Sequence, residues 1–367
     1  MRSLFRRAAT AAAFGSVALV AAEAVARIDD WIRLGIPIMR TPDYDRDLKY
    51  RDWFGIRGLP NGRYRQWRLN NFGFRGPDIT QVPPPDCHRV MILGASETFG
   101  LYESNGHEYP AQLRDSLRSG GCYEVVNSSI VGAGLMGLIR LWENYSAQFQ
   151  PDIVLVYPSP TFYLSNNPPV WGPMPGKAEP SPEMPFRPRL LEHLQNVWST
   201  PDFLQRRRLE AWLAADTAGK PADWFFASPP QDRLEAFGRD LDSLVRSIHA
   251  RGARPILMTH AIRFSNPPQP GDELQLLAWR RFSPRASYDV LLGFEAAAAD
   301  WMRAYSQRTG TALIDVSRQV SGKTELFADF VHFTNEGAAT VAGLITQELL
   351  AQPAPAGAPS EDPPDQR

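Results

Sequence analysis

From Val90 onward the chain alternates between two hydrophobic patterns. VMILG, YEVVN, DIVLVY, RPILM and TALID are short, nearly continuous apolar runs. Between and after them, YPAQLRDSLRS, LMGLIRLWENYSAQF, RLEAFGRDLDSLVRSIHARG, FEAAAADWMRAYSQRTG and NEGAATVAGLITQELL repeat apolar residues every three or four positions. Runs of the first kind suit strands covered on both faces, and the second pattern suits helices with one apolar side. The alternation predicts an α/β fold with three α/β/α layers around a mainly parallel, five-stranded sheet.

The pattern breaks in four places, which sets the expected organisation. Residues 1–28 open with Arg2, Arg6 and Arg7 and continue as an uncharged stretch from Ala8 to Ala22. Fifteen such residues are short for a span of about 20 and also suit a signal peptide. The preferred expectation is an uncleaved single-pass anchor, completed by turns through Val25 and Ile28, with the arginines on the cytoplasmic side. Cleavage near Ala22–Ala24 is the alternative, and both place the rest of the chain outside the cytoplasm. Residues 29–85 form an aromatic-rich piece whose Pro-Asn-Gly and Asn-Phe-Gly turns predict short hairpins. Residues 86–351 are the expected α/β domain. Within it, 158–230 is a proline-dense insertion with one or two helices, either a lid or a passive excursion. Residues 352–367, rich in Ala and Pro and acidic, are expected to be disordered.

Charge and cysteine content change this picture only modestly. The formal net charge of -1 gives no reason to expect a nucleic-acid partner, and the run Arg206–Arg208 reads as a solvated helix face. The two cysteines, Cys87 and Cys122, precede consecutive predicted strands. In a parallel sheet those starts lie on one edge, so neighbouring strands would allow a disulfide, as an oxidising compartment permits. Two free buried thiols are the alternative.

The candidate chemistry begins at GASETFG. Ser96 directly follows the first predicted strand, at the carboxyl edge where open α/β sheets bind ligands. As a nucleophile it needs a base and an orienting carboxylate; otherwise it is a turn or N-cap residue. Of six histidines only His332 has an aspartate three residues before it, Asp329, and this pair falls between the last strand and the last helix. GAGLMG, from Gly132 to Gly137, fits a dinucleotide-binding spacing, but Tyr157 and Pro158 stand where an acidic residue is required. No grouping of His, Cys, Asp or Glu has metal-ligand spacing. No cofactor is expected.

Together, GASETFG and DFVH make the chain resemble the SGNH/GDSL hydrolases, from about Asn70 to Leu350 with 158–230 unmatched. NNFGFRGPD also resembles a segment that precedes the domain in membrane-anchored bacterial members. The resemblance implies a flavodoxin-like sheet and a triad of Ser96, His332 and Asp329. It also implies an oxyanion hole from the backbone of Ser96 and of Gly132 in NSSIVGAG, with Gly134 the next match. Two positions depart from the family. Ala95 replaces the usual aspartate before the serine, and no asparagine occupies the third block, so Thr161 or Asn166 is expected to complete the hole. Losing one such donor costs about 100–1000-fold in rate. The implied function is hydrolysis of a small-molecule, lipid or glycan ester. Phe162, Tyr163 and Trp171, beside the insertion, are candidate pocket residues, with ordinary packing as the alternative. An O-acyltransferase acting on an extracellular polysaccharide and a non-catalytic binding or assembly module are the alternatives.

Overall fold

The computed structural model describes residues 2–52, 55–165, 187–197 and 200–351. Its centre is the predicted five-stranded sheet, formed by His88–Gly94, Tyr123–Asn127, Ile153–Tyr157, Arg254–Met258 and Ala312–Ile314. Numbered in chain order, these five strands are arranged 2-1-3-4-5 and all pairings are parallel. The connections leave the first strand to one side and return to its other side at the third. A switch point therefore opens between the carboxyl ends of strands one and three.

Alternate residues of each strand feed two separate cores. Met91, Leu93, Val126, Val154, Val156 and Leu257 pack with residues of the helices Leu135–Asn144, Gln231–Ala250 and Tyr288–Thr309. Val90, Ile92, Val125, Ile153, Leu155 and Ile256 face the opposite way, onto Tyr109–Ser116 and Asn335–Ala351. Burial on both faces explains why these strands read as unbroken apolar runs. Cys87 and Cys122 form a disulfide at the strand starts, next to the paired residues His88 and Tyr123.

The predicted hairpins lie ahead of the sheet. Lys49–Asp52 pairs with Gly55–Gly58, and Arg63–Tyr64 with Trp67–Arg68. Asn71-Phe72-Gly73 turns the chain so that Leu69 bridges Arg75, as expected. Pro60-Asn61-Gly62, by contrast, links the two hairpins. The second hairpin turns at Arg65, a non-glycine residue with φ of 49° that no sequence signal marked.

This segment is fastened to the sheet by two buried arginines. Arg89 in the first strand donates to the carbonyls of Thr80, Gln81 and Phe149 and to Glu124. Arg75, in the NNFGFRGPD stretch, bonds Glu108 at 3.0 Å and donates to the carbonyls of Phe99 and Gly100, on the loop that follows Ser96.

The N-terminal helix runs from Arg2 to Leu34, and its portion Thr10–Leu34 is long and apolar enough to cross a membrane. Two helices, Arg189–Val197 and Asp202–Thr217, follow the proline-dense stretch. The first of them meets the end of the N-terminal helix. There, Glu23 accepts the backbone N–H groups of Arg189 and Leu190 at 2.9 and 2.8 Å, and Asp30 takes the side chains of Arg189 and His193.

Candidate active site

Ser96 opens a single helical turn, Ser96–Phe99, immediately beyond the first strand. Close packing shapes this turn. A Cβ at Gly94 would run into Thr98, and Gly100 closes the turn with φ of 81° where a Cβ would strike Glu108. Glycine is the residue that meets both demands. The hydroxyl of Ser96 is half-buried and bonds Glu97 Oε2 at 3.3 Å. Its backbone N–H has no hydrogen-bond partner among the described residues, and neither does that of Gly132, an exposed glycine with φ of 81°.

Asp329 and His332 share a pinched loop. Phe327 bridges Phe333, and Ala328 N–H donates to the His332 carbonyl. Inside it, Asp329 Oδ1 accepts the backbone N–H groups of Val331 and His332 at 3.0 and 2.9 Å. Asp329 Oδ2 lies 2.7 Å from His332 Nδ1. The carboxylate is fixed by three bonds and fixes the imidazole in turn. Nε2 of His332 is buried and has no hydrogen-bond partner among the described residues. The loop is also tied to the segment after Ser96, since Ser104 N–H donates to Asn335 Oδ1 at 2.9 Å. The His332 ring lies 5.1 Å from that of Tyr102.

The electrostatics follow from this packing. Burial disfavours a charged His332, but the bond and charge of Asp329, aided by Glu97 and Glu103, outweigh it and raise the imidazole pKa above its usual value. Burial pushes Glu103 up to about 7, against opposing contributions that include its own and the Tyr102 N–H groups and the charges of Arg75 and His332. Tyr102 is pushed up to about 12 by burial and the Asp329 carboxylate.

The remaining predicted residues lie on and around the turn that follows strand three. Thr161 is half-buried on the turn Pro160–Leu164 that follows strand three. Phe162 packs over Gly134, which caps the helix Leu135–Asn144; a Cβ there would lie 3.3 Å from the Phe162 Cβ. Tyr163 is turned away into packing, its ring 5.7 Å edge-on from Phe237 and its hydroxyl on Asp240. Asn166 and Trp171 lie outside the described residues.

Sequence reading missed four residues behind Ser96: Glu97, Ser159, His260 and Glu295. Glu97, beside Ser96, accepts Ser159 Oγ at 3.0 Å and His260 Nε2 at 3.2 Å on one carboxylate oxygen, and Glu295 bonds the other ring nitrogen of His260 at 2.9 Å. His260 lies two residues beyond strand four, as Ser96 lies two beyond strand one, so the same placement marks it. No aspartate stands three residues before it, so the spacing that marks His332 passes it over. The structure also brings Asp29, Asp30 and His193 within 4.8 Å, a grouping that separation in sequence concealed. Asp30 is engaged there by Arg189 and His193, in the docking contact described above.

No protein-family model matches the chain, and no curated protein is similar to it at a significant level. Among solved structures it is similar to a G-D-S-L family lipolytic protein from Desulfitobacterium hafniense, with 12% identity, coverage of 71% of this chain and 98% of that one, and a TM-score of 0.40. A GDSL-like lipase from Bacteroides thetaiotaomicron gives 14%, 71%, 87% and 0.38. A lipase/acylhydrolase from Enterococcus faecalis gives 14%, 74%, 100% and 0.41. In fold, the chain resembles the GDSL-type lipolytic hydrolases and acylhydrolases.

Proposed function

We propose that the chain is a serine ester hydrolase acting outside the cytoplasm, with Ser96 as nucleophile, His332 as base and Asp329 as the group that orients the base. The observation that carries this reading is the Asp329–His332 couple. Nδ1 is committed to a carboxylate, and Nε2 is left unpartnered in a loop tied to the one that follows Ser96. Asp329 selects the tautomer with the proton on Nδ1, so the Nε2 lone pair can take the proton of Ser96 as Oγ attacks an ester carbonyl. The free N–H groups of Ser96 and Gly132, with Thr161, hold the oxyanion. His332 then returns the proton to the departing alcohol, and water, activated by the same nitrogen, releases the acid. A sugar hydroxyl in place of that water would make the same site an O-acyltransferase.

The docked N-terminal helix supports the anchored form. Cleavage near Ala22–Ala24 would remove Glu23, which caps the helix Arg189–Val197. Exposed apolar side chains at Val17, Val20, Val25, Ile28 and Ile32 suit contact with lipid. An ester of a lipid or glycan at the membrane surface is then within reach.

A second reading, a non-catalytic module, is favoured by one observation: the Ser96 hydroxyl bonds Glu97 and not His332. A fluorophosphonate probe separates the two. The detergent-solubilised chain is expected to label at Ser96 and the Ser96→Ala variant to stay unlabelled. An unlabelled parent chain would favour the module.

A further inference from the structure

Behind Ser96 the molecule buries a string of ionisable groups that the proposed mechanism does not use. Glu97, His260 and Glu295 are 3%, 4% and 5% exposed, and they come from the turn after strand one, the end of strand four and the helix Tyr288–Thr309. His260 meets a carboxylate at each ring nitrogen, Glu97 at Nε2 and Glu295 at Nδ1. A neutral imidazole carries one N–H and can satisfy only one ionised carboxylate. Both bonds are satisfied together when the ring is doubly protonated. Glu97 divides its two oxygens. Oε1 receives His260 and Ser159, and Oε2 receives the hydroxyl of Ser96. Burying three such groups is costly unless they are paired, and one Glu295 oxygen is left without a partner. A well-packed apolar core would have served stability at least as well.

We propose that His260 and Glu97 are positioning residues for the Ser96 reaction, resting on the reading of that site given above: His260 anchors Glu97, and the Glu97 carboxylate holds the Ser96 hydroxyl at rest. On substrate binding the hydroxyl passes from Glu97 Oε2 to His332 Nε2. The imidazolium formed when His332 takes that proton then faces the carboxylates of Asp329, Glu97 and Glu103.

The groups that face these residues define the expected pH behaviour. His332 is met by Asp329 from its own loop, by Glu97 from the turn after strand one and by Tyr102 and Glu103 from the loop beyond. Glu97 is met by Ser96, Ser159, His260 and His332, with the phenols of Tyr109 and Tyr157 nearby. His260 packs against Tyr157, ring centres 5.5 Å apart. Removing the Glu97 charge therefore takes a negative neighbour away from His332 and lowers the pH at which its ring becomes neutral.

The test is the rate of fluorophosphonate labelling of Ser96 against pH, in the full solubilised chain and in its Glu97→Gln variant. The acidic limb is expected to move to lower pH in E97Q. Labelling of E97Q with an unmoved limb would overturn the positioning role and leave the reading of the site intact. Absence of labelling in the parent chain would instead sink that reading, and this inference with it. Should E97Q not fold, ring-nitrogen NMR of the unmodified chain decides. Two N–H groups on His260 at pH 8 are expected, and a singly protonated ring there would contradict the proposal.

Discussion

His332 owes its candidacy to what its two nitrogens do. Because Nδ1 is bound to Asp329, an Asp329→Asn substitution would favour the wrong tautomer while preserving shape, and labelling of Ser96 should fall by on the order of 10⁴-fold. A fall of less than tenfold would mean that Asp329 does not orient the base. The raised pKa of His332 has a definite sign as well. The base works only when neutral, so the labelling rate of the parent chain should rise with pH through a midpoint above 6.5, the usual histidine value. A midpoint at or below it would contradict the carboxylate-rich surroundings. At this scale short local patterns in the sequence mark Ser96, Asp329 and His332 as candidates. Glu97, Ser159, His260 and Glu295 remained hidden because their partnership exists only after distant strand ends converge.

Among the elements, those with the strongest periodicity were the most legible. Strands buried on both faces announced themselves as IVLVY and VMILG, and the long helices by their apolar stripes. The hairpin at Arg65 was not legible, since a left-handed arginine carries no compositional mark. The disulfide was legible from the order of strands. It spans 35 positions, so replacing both cysteines by serine should lower stability by about 3–4 kcal/mol, measured by denaturant unfolding. An unchanged midpoint would show that the bridge adds nothing. The docking of the N-terminal helix onto Arg189–Val197 was invisible in the sequence, because Glu23 and Arg189 are 166 positions apart. That contact predicts that chain purified from membranes keeps the helix. Intact mass checks this, and a mature N-terminus beyond Ala24 would refute it.

For the whole molecule, the buried Glu97–His260–Glu295 string links folding to pH. Burial alone would raise the Glu97 pKa, but the His260 bond and charge, then His332, bring it to about 2 from 4.5. Its stabilising contribution is therefore full above pH 4.5 and is lost as pH falls toward 2. Burial alone would lower that of His260, but Glu295 and Glu97 raise it to about 10 from 6.5, so its contribution is full below 6.5 and is lost as pH rises toward 10. Thermal midpoints should accordingly be highest between about pH 4.5 and 6.5 and decline on both sides. A midpoint still rising from pH 7 to 9 would contradict this pairing.

In the proposed function, strand ends and one late loop bring Ser96, His332 and Asp329 together as an acyl-transferring site. Its most direct test is to quench the solubilised chain in acid during turnover of an activated acetyl ester and to map the acetyl group by peptide mass. Acetate is expected on Ser96 in the parent chain and none on that peptide in the His332→Ala variant. Acetate confined to other residues, or equal on Ser96 in both chains, would contradict it.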